Sequence, residues 1–140
     1  MPSPVLLIGS SHLAFRVGKK LHARNVRFAH IPSDQFVDHA LETSDFEHAK
    51  GVLAEHEIAN ARAVCILEDS DAQNINLLLA CLAVDAHVPL YVAITNENLT
   101  AHIAASHAAV HVFNPYAIAA PAFVDAVHGT THIHPIAPPP

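Results

Sequence analysis

The residues with the plainest chemical meaning follow the first apolar run. Val5-Leu6-Leu7-Ile8 leads into Gly9-Ser10-Ser11-His12-Leu13-Ala14. A glycine turn between a strand and a helix aims backbone amides at an anion, and the helix dipole favours negative charge there. Dinucleotide binding asks for more, the pattern G-x-G-x-x-G. Its first glycine makes the turn, its second admits the pyrophosphate, and its third packs helix on strand. Gly9 fills the first position and Ala14 is a tolerated third. The second is Ser11, whose Cβ pushes a pyrophosphate outward and whose hydroxyl suits a helix cap instead. The acid expected at the end of the second strand is also displaced: Ile31 is followed by Pro32, and Asp34 lies two residues late. What remains is the anion-attracting turn at residues 10–13, with His12 as an added cation. A ligand would lie over Gly9, Ser10, Ser11, His12 and Leu13, with Asp34 near a ribose and Leu67, Glu68 and Asp69 flanking a base. The candidates are a mononucleotide or another small anion, NAD(H), or no ligand at all, in a domain kept for its packing and interfaces.

The other chemistry-bearing residues organise less well. Thirteen histidines raise metal and pH-sensing readings. His132 and His134 form an H-x-H pair, with His128 four residues before, but in a Pro-rich tail where Asp125 is the nearest carboxylate. They read as solvated residues. His22, His39, His48, His56 and His87 show no ligand spacing, so no metal site is expected. Glu68, Asp69 and Asp71 suit a divalent cation less well than the N-terminus of the helix they precede. Ser10 and Ser11 beside His12 lack G-x-S-x-G and a third group, so no enzyme is expected. Cys65 and Cys81 sit inside apolar runs without C-x-x-C spacing and read as buried small hydrophobes.

The positioning elements follow from periodicity. The run 5–8 shows no polar alternation, as in a central parallel strand. Leu13, Ala14, Val17 and Leu21 mark an amphipathic helix ending at Asn25, and residues 26–31 form a second strand stopped by Pro32. Phe36, Val37 and Leu41 suggest a short helix or a weak third strand. Residues 45–57 read as a helix and 63–67 as a strand, a helix after the acidic turn at 68–71 runs to about residue 84, and 88–94 read as a strand, 99–106 as a short helix and 110–113 as a strand. A last, almost wholly apolar helix is expected at 116–127. Alternating strands and helices predict an α/β fold, a Rossmann-like doubly wound parallel sheet with strand order 3-2-1-4-5-6. Length sets one domain, residues 1–128, followed by a Pro/His-rich mobile tail at 129–140. With 51% hydrophobic and 14% charged residues, the chain needs two-sided burial or a partner. The net charge of −6 argues against nucleic acid. No apolar run approaches the ~20 residues of a bilayer span, and the start has no basic leader, so a cytoplasmic protein without membrane insertion is expected.

The order of these motifs resembles the N-terminal Rossmann-type domain of regulators of potassium conductance (RCK, or TrkA-N). The likeness is carried by residues 5–9, by Val52-Leu53 with Ile58-Ala59-Asn60-Ala61-Arg62-Ala63-Val64, by Asp69-Ser70-Asp71-Ala72-Gln73-Asn74, and by Val110-His111-Val112-Phe113-Asn114-Pro115. It implies a regulatory domain that gates a potassium channel or transporter at the inner face of the membrane, with that channel or transporter subunit as partner. It also implies a homodimer joined through the last helix. An NAD(P)-dependent oxidoreductase fragment is the alternative, but 140 residues leave no room for a substrate domain. The homodimer predicts a sedimentation coefficient of two copies at about 100 µM protein, where a tight interface persists; a monomer there contradicts it.

Overall fold

The computed structural model describes residues 3–38, 43–44, 46–85, 87–106, 110–117 and 124. Five parallel strands form the sheet: β1 (Val5–Ile8), β2 (Phe28–Ile31), β5 (Ala63–Ile66), β6 (Leu90–Ala93) and β7 (Val110–Phe113), in the order β2-β1-β5-β6-β7. Four helices flank them: α1 (His12–Ala23), α2 (Phe46–Glu55), α3 (Asp71–Val84) and α4 (Glu97–Ser106). The Rossmann-like α/β expectation holds. The weak third strand does not join the sheet. After a 3-10 turn at Ser33–Phe36, β3 (Val37–Asp38) pairs antiparallel with β4 (Thr43–Ser44) as a separate ribbon. Pro32 stops β2, and Phe36 is drawn into the core. Only two residues remain to pair, too few for an edge strand.

Strand periodicity explains the two layers. Leu6, Ile8, Val64, Ile66, Leu90 and Val92 point into one large cluster, which α2, α3 and α4 cover through Leu53, Leu77, Leu78 and Ile103. The alternate residues Leu7, Leu67 and Ala93 form a smaller cluster on the opposite face with Ala14, Leu13 and Val17 of α1. Both faces of the central strands are thus apolar, which is why the run 5–8 shows no alternation.

Local chemistry sets the ends of α1. Ser11 is its N-cap, accepting from the Ala14 amide at 3.0 Å. At the other end Asn25 takes a left-handed conformation, φ 58°. The Asn25 amide then donates to the His22 carbonyl and the Val26 amide to the Leu21 carbonyl. This is a Schellman closure, in which Asn substitutes for glycine at little steric cost. The turn delivers the chain to β2. Residues 115–117 begin the last helix, capped by Asn114 Oδ1, which accepts from the Tyr116 and Ala117 amides. The rest of that predicted helix apart from Val124, and the tail at 129–140, with His128, His132 and His134, lie outside the described residues.

Candidate functional site

The carboxyl ends of β1 and β5 meet where the strand order reverses, the place where open α/β sheets bind ligands. Gly9 occupies φ +127°, and a Cβ there would lie 2.6 Å from the Leu67 carbonyl oxygen. No side chain fits, so the turn requires glycine for both backbone and space. Ser11 is buried, and its hydroxyl donates to the Leu67 carbonyl while accepting from the Ala14 amide. The hydroxyl is consumed in fastening α1 to the end of β5.

Ser10 makes a reciprocal pair with Ser33, the residue that follows Pro32. Its amide donates to Ser33 Oγ at 2.9 Å, and the Ser33 amide donates to Ser10 Oγ at 2.9 Å. Ser33 Oγ in turn donates to Glu68 Oε1 at 2.6 Å. The three loops that surround the switch point are therefore tied together, with a carboxylate beside the glycine turn. His30 adds a fourth tie through Nε2 and the Gly9 carbonyl at 2.5 Å. The carbonyl can only accept, so Nε2 carries the proton.

Of the sequence-derived candidates, Gly9, Ser10, Ser11, Leu67 and Glu68 converge here. His12 is exposed at the first turn of α1, and Leu13 packs half-buried against the smaller cluster. Asp34 and Asp69 are exposed, and neither joins the serine network. Ser33 takes the place expected of Asp34. The signal for it was available, since Ser33 lies two residues past the strand end, but a serine at that position carries no dinucleotide signature. The His12 and Leu13 amides keep the helix N-terminus open, because the first amides of a helix have no intrahelical acceptor. No acidic residue lies in that first turn.

The acidic segment at 68–71 serves structure. Ser70 caps α3, accepting from the Gln73 amide at 3.1 Å. Asp71 reaches across to the turn after β6, accepting from the Thr95 amide at 2.8 Å, the Thr95 hydroxyl at 2.9 Å and the Asn96 amide at 3.0 Å. Partial desolvation raises the Asp71 pKa, but the Thr95 and Asn96 donors outweigh it and leave the carboxyl below its ordinary value. Asn74 is the buried polar anchor. Its Oδ1 accepts from the Glu68 amide at 2.8 Å, and Nδ2 donates to the carbonyls of Glu68 at 3.1 Å and Ala93 at 2.8 Å. Among the described residues no group of three or more His, Cys, Asp or Glu is placed to hold a metal ion. Burial pushes the thiols of Cys65 and Cys81 up to about 11 and about 12, so both are neutral and unreactive near pH 7. Among the described residues no helix is long and apolar enough to cross a membrane.

Compared with models of known protein families and with curated proteins, the sequence matches none. The fold and the geometry of the switch point therefore carry the functional reading.

Asn74→Ala leaves a buried amide and two carbonyls without their partner and should cost about 2–4 kcal/mol; urea unfolding that shows less than about 1 kcal/mol would contradict the anchor role. Asp71 contributes stability above the ordinary carboxyl pKa of 3.8 and loses it as the pH falls through its lower folded value. Asp71→Asn should therefore be less stable than the parent at pH 7, with the gap closing below pH 3.8. Thermal melts across that range measure it, and a constant gap would refute the ionic role.

Proposed function

We propose that the chain is a regulatory domain of the RCK type, acting on a potassium channel or transporter through its packing and interfaces rather than by catalysis. The observation that carries the reading is the Ser10–Ser33–Glu68 network. It spends the Ser10 amide and sets a carboxylate beside the glycine turn, where a pyrophosphate would bring negative charge. Together with Ser11 at the second glycine position, this opposes NAD(H) and the oxidoreductase alternative. A domain without a resident dinucleotide can still transmit. A change in the relative orientation of paired copies, passed along a linker, shifts the populations of closed and open transporter.

A second reading keeps a small anion or mononucleotide at the turn. It is favoured by one observation, the acid-free first turn of α1 with His12 exposed beside it. Binding would require Ser10 to exchange Ser33 for the ligand, so Glu68 opposes it and Glu68→Gln should favour it.

Isothermal titration with NADH, ATP, ADP and AMP separates these readings. Silence from all four is the expected result. Saturable binding of AMP or ADP, strengthened several-fold by Glu68→Gln, would favour the anion reading, and tight NADH binding would overturn both. The transport role has its own test. Deleting the coding sequence should change rubidium uptake, a surrogate for potassium flux, in the cells that carry it; unaltered uptake sinks that role.

A further inference from the structure

The charges of this chain are segregated. Arg16, Lys19, Lys20, Arg24 and Arg27 are five of its seven Lys and Arg residues, whereas all thirteen Asp and Glu residues lie at or beyond Asp34. The first 33 residues carry a formal +5 and the remainder −11. In the fold, the cations concentrate on the outer side of α1, where Arg16, Lys19, Lys20 and Arg24 are exposed. The net charge of −6 hides this patch.

An apolar groove runs beside it. Leu7, Ala14, Phe15, Gly18 and Phe28 are the apolar lining of a hollow of about 480 Å³ between α1 and β2, which Lys19, His22 and His30 border and which Gly9, Ser10 and Ser11 bring up to the glycine turn. Phe15 is 63% exposed, and Lys19 Nζ stands 5.5 Å over its ring. A second, smaller hollow of about 290 Å³ lies between Arg16, Lys20 and Arg24, floored by Val17 and Leu21. The larger groove has a topological cause. A complete β-α-β-α-β half would lay its second crossover helix beside α1 on this face. Here the third strand is missing from the sheet, and α2 packs on the opposite face through Leu53 and Val52. Among the described residues no helix fills the slot beside α1.

We propose that this slot docks an acidic amphipathic helix of a protein partner. The partner's apolar side chains would enter the Phe15–Phe28 groove, and its carboxylates would meet Arg16, Lys19, Lys20 and Arg24. Charge complementarity selects the occupant. A second copy using the same patch across a two-fold axis would set these cations against their own copies. A phosphate backbone satisfies the cations but not a concave apolar floor, and a lipid surface is flat where this site is hollow. The groove reaches the Gly9 turn, so a ligand there would share it with the partner, whereas the potassium reading is not needed. A single helix laid in such a groove buries a small area, so the complex belongs with weak, transient interfaces.

The test uses the full chain and a fluorescent peptide of about four helical turns, with leucines at i, i+3, i+4 and i+7 and glutamates elsewhere. Anisotropy should show binding on the order of 10–100 µM, weakening about tenfold between 50 and 300 mM salt. Phe15→Ala and the pair Lys19→Glu/Lys20→Glu should each weaken it at least about fivefold while circular dichroism stays unchanged, and Arg62→Glu should not. No binding, or binding indifferent to the α1 variants, overturns the proposal. Tighter binding of single-stranded RNA or of vesicles rich in phosphatidylserine, lost in the same variants, overturns it in favour of that partner class.

Discussion

The fold depends on how closely the end of β1 approaches the end of β5. Gly9 lies against the Leu67 carbonyl with no room for a Cβ, and its backbone conformation suits only glycine. That approach brings the Ser11 hydroxyl onto the same carbonyl, so one peptide group receives the turn and anchors the cap of α1. One residue further, Asn74 holds both backbone groups of Glu68 and the carbonyl of Ala93. The ends of β1, β5 and β6 are thereby stitched by polar groups that would otherwise be costly to bury. Ser11 sets the start of α1 at the same time. A change at any of them is felt at two strands and a helix together.

This stitching also gives the switch point its character. In an open nucleotide fold the place where the strand order reverses is a crevice. Here three loops meet beside it through Ser10, Ser33 and Glu68, where the Ser10 amide, the Ser33 amide and the Ser33 hydroxyl each have an acceptor. Such a network gives rigidity, and an anion that takes the Ser10 amide must first displace Ser33. The usual electrostatic attraction of a helix N-terminus is opposed by the nearby carboxylate. Outside this network, α1 gathers most of the positive charge and borders the groove beside β2.

Tyr91 and His111 show the same imbalance on the other side of α1. Their rings stack at 4.7 Å across adjacent strands, both on exposed positions of a sheet face whose cover is α1 alone among the described helices. The low proportion of charged residues thus has a structural basis. The larger cluster is buried under three helices, while the opposite face relies on one.

Local patterns in the chain determined the alternation of strands and helices, the glycine turn and the caps, because these depend on neighbours within a few residues. That the Ser11 hydroxyl suits a helix cap, and that the acidic turn at 68–71 opens α3, follow from residue type and spacing; that Ser11 is spent on the cap and on the Leu67 carbonyl does not. The short run at Phe36–Val37 was ambiguous for the same reason, since two apolar residues fit a turn, a ribbon or an edge strand equally well. Only the tertiary structure decided among them, by burying Phe36 and pairing Val37 with Ser44. It alone brought Ser33 and Glu68, thirty-five residues apart, into one hydrogen-bonded closure. It also turned the basic residues of α1 into a surface beside a groove. Sequence spacing carries no information about such meetings. They depend on which loops the sheet order places side by side and on which crossover the topology omits.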